Sequence, residues 1–218
     1  YSSRRQRQMC IRDSNISFYL PYINGDKKTI LQDLISNCNN LKLDFKKILV
    51  NTITSYKPDE RGRSSGKTGS DIERILAFNS LGLVDPISYV KPWKEVVNDA
   101  LNIELRHQVT RNNGTERAFT GFYDDHFLDG EYDCYNCGHK LFSSNSKFKS
   151  GCGWPSFHTE DKSANIKRIT DNRYGMKRIE VRCSQCDSHL GHVFEDGPIN
   201  HGGERYCINS VSLDFRSN

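Results

Sequence analysis

Gly203-Glu204-Arg205-Tyr206-Cys207-Ile208-Asn209-Ser210 is the stretch on which the reading of the fold turns. At the two-residue period of a strand, Arg205, Cys207 and Asn209 fall on one face. Continued onward, that face takes in Val211, Leu213 and Phe215, so the spacing predicts one strand over 206–215 with an apolar face in the core and Cys207 at its rim. Two readings fit a thiol there. It is a small buried hydrophobe, a common fate of free cysteine, or it is a reactive group, because the thiolate is the nucleophile and a cation two residues away favours it.

Working outward, short aromatic and apolar runs between glycines recur from Thr115 onward: Ala118-Phe119, then 130–132, 140–142, 178–182 and 206–215. That punctuation predicts a mainly β domain over 92–216. Upstream the period changes to that of helices, with Ile30, Leu31, Leu34 and Ile35 on one face and Leu41, Phe45, Ile48 and Leu49 on another. Further helices are expected over 71–81 and 95–109. Residues 15–86 therefore read as a helical and loop extension, bounded near Asp85-Pro86, with a mobile Gly/Ser-rich loop over 56–70. The segment Gly62 to Thr68 imitates a phosphate loop, but it has three residues between its glycines where the motif needs four, and no strand before it. Residues 1–14 show no apolar period and read as a non-native or disordered leader, so Cys10 is left out of any mechanism.

Charge excludes one class of function. The net +4 comes mostly from the first fourteen residues, whereas from Arg106 to Asn218 fifteen Lys and Arg stand against fifteen Asp and Glu. No basic footprint lies on the half that carries Cys207, which argues against nucleic acid as a partner. Mean hydropathy is -0.71, and no apolar run approaches the roughly 20 residues of a membrane span.

Four of the eight cysteines form two Cys-x-x-Cys pairs, Cys134/Cys137 and Cys183/Cys186. Two such turns complete the tetrahedral four-sulfur set of a structural zinc, with Gly138 supplying a positive φ and no coordination position left open for chemistry. Such pairing also points to a reducing compartment rather than a secreted disulfide framework. Outside this set and the leader, Cys38, Cys152 and Cys207 remain. Cys152 lies between two glycines in Gly151-Cys152-Gly153-Trp154, a loop able to bring its sulfur to another thiol. His189 and His192 flank Gly191 and are candidate proton donors near neutral pH; Gly191 must bend the chain if both rings are to serve one pocket.

Taken together, Gly114-Thr115-Glu116-Arg117-Ala118-Phe119, the two cysteine pairs, Gly151 to Phe157, His189-Leu190-Gly191-His192-Val193-Phe194 with Asp196-Gly197-Pro198, and Arg205 to Ser210 resemble, in this order, the type B methionine sulfoxide reductases. The likeness covers roughly 93–215, and nothing before Trp93 matches. The resemblance implies a β-rich fold stabilised by one structural Zn2+ per chain, held by Cys134, Cys137, Cys183 and Cys186, and reduction of the R epimer of methionine sulfoxide in proteins. It implies that Cys207 is the nucleophile and Cys152 the resolving thiol, with the resulting disulfide recycled by thioredoxin. Trp154 matches the ring against the substrate methyl, with Phe194 and Arg205 on the substrate side. His189, His192, Asp196 and Asn209 match the polar pocket around the sulfoxide, with His192 as the expected proton donor and His189 as its alternative. A cytoplasmic monomer is expected, or an organellar one if a transit peptide precedes. The rival reading is a zinc-ribbon binding module without redox activity, which leaves Cys152, Cys207 and both histidines without a purpose.

Overall fold

A computed structural model of the chain describes residues 26–52 and 58–217; the expected leader, Cys10, the start of the helical extension and part of the 56–70 loop lie outside the described residues. The chain forms two compact units that divide between Ala100 and Leu101.

The first unit is helical. Helix α1 (Lys27–Asn40) starts at Asp26, whose carboxylate accepts the Thr29 N–H, α2 (Phe45–Leu49) starts at Asp44 in the same manner, and α3 (Gly69–Ser80) opens on a reciprocal Thr68/Asp71 capping box. Each cap satisfies an N–H that a first turn leaves orphaned. Leu31, Leu49, Ala77 and Phe78 form one apolar cluster, and Ile75, Val96, Val97 and Ala100 a second. The boundary expected at Asp85-Pro86 is corrected. Asp85 is buried and takes a two-pronged ion pair from Arg74, at 2.6 and 2.8 Å, plus the Tyr89 hydroxyl at 2.8 Å, which locks this segment into the unit. The described part of the 56–70 loop is tied down as well. The Ser64 N–H donates to the Ser88 carbonyl and its own carbonyl accepts from Val90, while Gly66, at φ +72°, packs where a Cβ would come 3.0 Å from Val96. Thr68, the last residue of the phosphate-loop imitation, is spent on capping α3.

Helix α4 (Trp93–Asn112) leads into the second unit, and among the described residues no helix is long and apolar enough to cross a membrane. The second unit is β-rich, as its alternating segments require. Strands β1 (Gly130–Cys134), β2 (Lys140–Ser143) and β9 (Leu213–Ser217) form one antiparallel sheet in the order β2-β1-β9. A six-stranded sheet has the order β3-β4-β8-β7-β6-β5, from β3 (Lys147–Phe148), β4 (Ser156–Phe157), β8 (Arg205–Ile208), β7 (His189–Phe194), β6 (Arg178–Arg182) and β5 (Lys167–Asp171). Tyr132, Leu141, Phe142, Phe157, Leu190, Tyr206, Ile208 and Leu213 are buried in one core, with Phe142 and Phe157 stacked at 4.3 Å.

Two expectations fail here. Ala118-Phe119 is a turn rather than a strand, with Phe119 at φ +63° and its N–H on the Gly153 carbonyl. The single strand expected over 206–215 is broken at Asn209, where a 3-10 turn (Ser210–Ser212) carries the chain from the six-stranded sheet to the three-stranded one. The buried face of β8 is Tyr206 and Ile208, so Cys207 does not share the core-facing row of Leu213; it faces the other way.

The Arg74–Asp85 pair makes a stability prediction. Removing one partner of a buried ion pair costs about 3–5 kcal/mol. Arg74→Ala should therefore lower the urea midpoint of the helical unit sharply, and the paired variant Arg74→Met/Asp85→Asn should lose less. An unchanged midpoint in R74A would contradict the role assigned to the pair.

Candidate active site and metal centre

Four sulfurs meet where the β1–β2 and β6–β7 turns converge. Cys134 and Cys186 are 3.6 Å apart, as are Cys137 and Cys183, and all four lie within 4.8 Å of one another. Sulfurs 2.3 Å from one tetrahedral ion stand about 3.8 Å apart, so the donor set has the size and chemistry of a closed four-thiolate site. The two turns are built alike. The Gly138 N–H returns to the Cys134 carbonyl and the Asp187 N–H to that of Cys183, with φ of +71° and +60° respectively. Asp is one of the few side chains that tolerate that conformation. His139 is committed to the Ala164 carbonyl at 3.0 Å, and His189 to Glu180, so neither replaces a cysteine.

On the face of the sheet opposite the core, β8 runs between β4 and β7 with Ser156 and His192 directly across from Cys207. Gly191 permits the close approach of β7: a Cβ there would overlap the Cys207 carbonyl oxygen. Cys207 opens into a cavity of about 110 Å³ that it shares with Trp154, His192, Phe194 and Asn209, all expected from the sequence, and with Thr115 and Arg178, which were not. The Cys152 sulfur lies 3.8 Å from that of Cys207, although Cys152 does not itself line the cavity. Cys38 is buried in α1 of the first unit.

Three expected residues stand elsewhere. The ladder between β6 and β7 slips by one residue at Leu190, and this bulge brings the His189 ring within 5.6 Å of the His192 ring. His189 nonetheless stays fully buried behind it, with Nδ1 2.6 Å from Glu180, and does not line the cavity. Asp196 is exposed and holds Arg205 through two 2.8 Å bonds. Arg205 in turn covers the Phe194 ring at 4.8 Å and also acts on the Cys207 thiol, so Asp196 reaches the cavity through Arg205.

Protonation follows from these contacts. Arg173, through its side chain and its backbone N–H, and the His192 ring hold the Asp171 pKa far below the usual carboxylate range against the opposing effect of burial, and Arg178 bonds the same carboxylate at 2.8 Å. An ionised Asp171 can only accept, so the His192 Nε2, 2.9 Å away, carries the proton and Nδ1 is left with a lone pair. Burial outweighs Asp171 and lowers the pKa of His192, keeping the ring neutral near pH 7. The Cys207 thiol is pushed up to about 12 by burial and by the neighbouring Cys152 sulfur, against a weaker pull from Arg205. Burial raises Cys152 too, but the Ser150 hydroxyl at 3.0 Å and the Ser156 hydroxyl at 3.4 Å outweigh it, and the net shift is downward. Arg205 favours the Cys207 thiolate, as expected, but burial and the Cys152 sulfur outweigh it, so in the reduced pair Cys152 is the more acidic thiol.

Comparison with known proteins was made against this geometry. Residues 103–217 match the family model described as SelR domain. A probable methionine-R-sulfoxide reductase B of Caenorhabditis elegans is 51% identical over 124 residues, covering 56% of this chain and 78% of that protein. A peptide methionine sulfoxide reductase MsrB of Chromohalobacter salexigens is 56% identical over 110 residues, 50% of this chain and 83% of that protein. Among solved structures, the Mis18 'Yippee-like' domain gives a TM-score of 0.34 at 15% identity over 42% of this chain and 98% of that one, too distant to inform the site.

The thiol order is measurable. Near a pH of about 7 a haloacetamide, which reacts with the thiolate, should label Cys152 well before Cys207. Cys152→Ser should bring the Cys207 value down from about 12, because the charge and hydrogen bond of its neighbour are gone. Mass mapping that finds Cys207 labelled first in the unaltered protein would contradict the assignment.

Proposed function

This chain belongs to the SelR-domain family, and from that premise we propose how its residues divide among themselves the reduction of methionine-R-sulfoxide to methionine. It is an oxidoreductase acting on oxidised methionine in proteins. The observation that carries the division of roles is a single juxtaposition: Cys207 in a cavity walled by an indole and an imidazole, with a second sulfur 3.8 Å from its own.

In the proposed cycle Trp154 and Phe194 form the apolar wall for the substrate methyl, and Asn209 offers its amide to the sulfoxide oxygen. His192 Nδ1 removes the Cys207 proton, and Asp171 steadies the imidazolium that results. The thiolate attacks the sulfoxide sulfur and the imidazolium returns the proton to the oxygen as it leaves that sulfur. The protonated oxygen passes to the Cys207 sulfur as the bond between that sulfur and the methionine sulfur breaks, so methionine departs and Cys207 is left as a sulfenic acid, two electrons having passed to the substrate. Cys152 attacks the Cys207 sulfur, water leaves and a disulfide forms. Thioredoxin restores both thiols by exchange. His189 supports His192 from behind, and Asp196 keeps Arg205 over Phe194. The four-thiolate site is assigned to one structural Zn2+, held by Cys134, Cys137, Cys183 and Cys186 with no position left for substrate. The protein works as a monomer in a reducing compartment. A zinc-ribbon binding module gives no account of the cavity.

Single-turnover reduction of a methionine-R-sulfoxide peptide tests these roles. Cys207→Ser should form no methionine even with dithiothreitol. Cys152→Ser should complete one turnover at least as fast as the unaltered protein and then stall with thioredoxin. His192→Ala should slow the first turnover by about the 10²–10⁴-fold of a lost acid–base group. Methionine formed by C207S, or normal thioredoxin recycling by C152S, would overturn the assignments.

Metal content gives a separate test. One zinc per chain should be found by elemental analysis, and Cys183→Ser should abolish it and lower Tm, since the ion joins two hairpins of different sheets. Full thermal stability without zinc would contradict a structural role.

A further inference from the structure

Glu116 is a buried acid that the cycle above does not use, and it is bonded at three points. Its carboxylate accepts the N–H groups of Ser210, at 2.5 Å, and Val211, at 3.1 Å. Its own N–H donates to the Asn209 side-chain oxygen at 3.0 Å, and its carbonyl accepts the Trp154 indole N–H at 3.1 Å. None of these partners is a cation, so the carboxylate bears its burial on backbone dipoles alone. A charge in such surroundings is costly unless every lone pair is used.

The partners share one property: each sits in, or next to, a wall of the cavity. Trp154 and Asn209 line it, and Ser210 and Val211 begin the turn that follows β8, three residues after Cys207. Fixing the Asn209 oxygen also fixes which way its amide points. One Nδ2 hydrogen then goes to the Leu190 carbonyl at 3.0 Å and the other remains for an acceptor. Gly121 completes the arrangement, because a Cβ there would come 2.6 Å from a Glu116 carboxylate oxygen and overlap the Ser210 Cβ.

We propose that Glu116 is a positioning residue for sulfoxide reduction, setting where the Trp154 indole and the Asn209 amide stand relative to Cys207. The inference rests on the reading of the cavity as the sulfoxide site. It assigns Glu116 mainly to the first half-reaction: the Cys152 sulfur is held by the Ser150 and Ser156 hydroxyls and by the Trp154 carbonyl at 3.5 Å, whereas Glu116 holds the Trp154 indole and not that carbonyl.

The test uses the full chain in a Trp93→Phe background, which leaves Trp154 as the only indole. Three quantities are read: the first-turnover rate on a methionine-R-sulfoxide peptide, the rate of Cys152–Cys207 disulfide closure driven by diamide, and the Trp154 emission. Glu116→Ala should slow the first turnover by about 10²-fold, the scale of a small misplacement of reacting groups, and shift Trp154 emission, while diamide closure stays within about twofold of the parent. Glu116→Gln keeps one acceptor oxygen but sets a donor against an N–H, and should fall between. Gly121→Ala, which pushes on the carboxylate from the other side, should resemble Glu116→Ala. If the alanine variant does not fold, the glutamine variant is read alone. A folded variant with a normal first turnover, or one that slows both half-reactions equally, would overturn the proposal. Failure of the parent protein to reduce the peptide would overturn the reading of the cavity as well.

Discussion

The register of β8 against its two neighbours is the constraint on which the site depends. Ser156, Cys207 and His192 form one row across β4, β8 and β7, and alternation along β8 turns Tyr206 and Ile208 to the core and Cys207 to the cavity. A slip of one residue would exchange these faces, burying the thiol and exposing a tyrosine. Burial of Tyr206 and Ile208 works against that slip, and so does the absence of a side chain at Gly191, which lets the Cys207 carbonyl approach β7. The four-thiolate knot and the Asn209–Ser212 turn then fix the second sheet to the first.

Given that row, the chemistry divides by environment. Burial and a neighbouring sulfur keep Cys207 protonated, so its reactivity depends on a base in the same row rather than on a permanent charge. Asp171, held ionised by two arginines, selects the His192 tautomer that has a lone pair to offer. Cys152 is the more acidic thiol of the pair, which suits an attacking group in the second half-reaction. His189 and Asp196, which the sequence groups with the site by spacing, act one step removed, behind His192 and through Arg205, whereas Arg205 acts on Cys207 itself.

What was legible in the sequence was local. Cys-x-x-Cys spacing gives two knuckles whatever lies between them, and the apolar periods of α1, α3, α4 and β6 mark those elements within a few residues. Cys152 and Cys207 stood out because glycines and polar neighbours surround them. What was hidden came from distant partners. The break at Asn209 exists because the Ser210 and Val211 N–H groups are captured by Glu116, more than ninety residues earlier, and no strand pattern carries that information. Thr115 and Arg178 reach the cavity only once the sheet is assembled, and Asp171 is unremarkable until three donors converge on it. The Asp85 boundary failed for the same reason, since a Pro-containing polar segment looks like a linker until Arg74 is placed opposite it.

The central claim, that two particular sulfurs share one electron-transfer site while four others are withheld from it, can be read directly by disulfide mapping after one equivalent of a methionine-R-sulfoxide peptide is added without reductant. The account predicts a single bridge, Cys152 to Cys207, with Cys38 and the four knuckle cysteines still free of any bridge. A bridge that joins Cys207 to any other cysteine, or one that forms among Cys134, Cys137, Cys183 and Cys186, would contradict it.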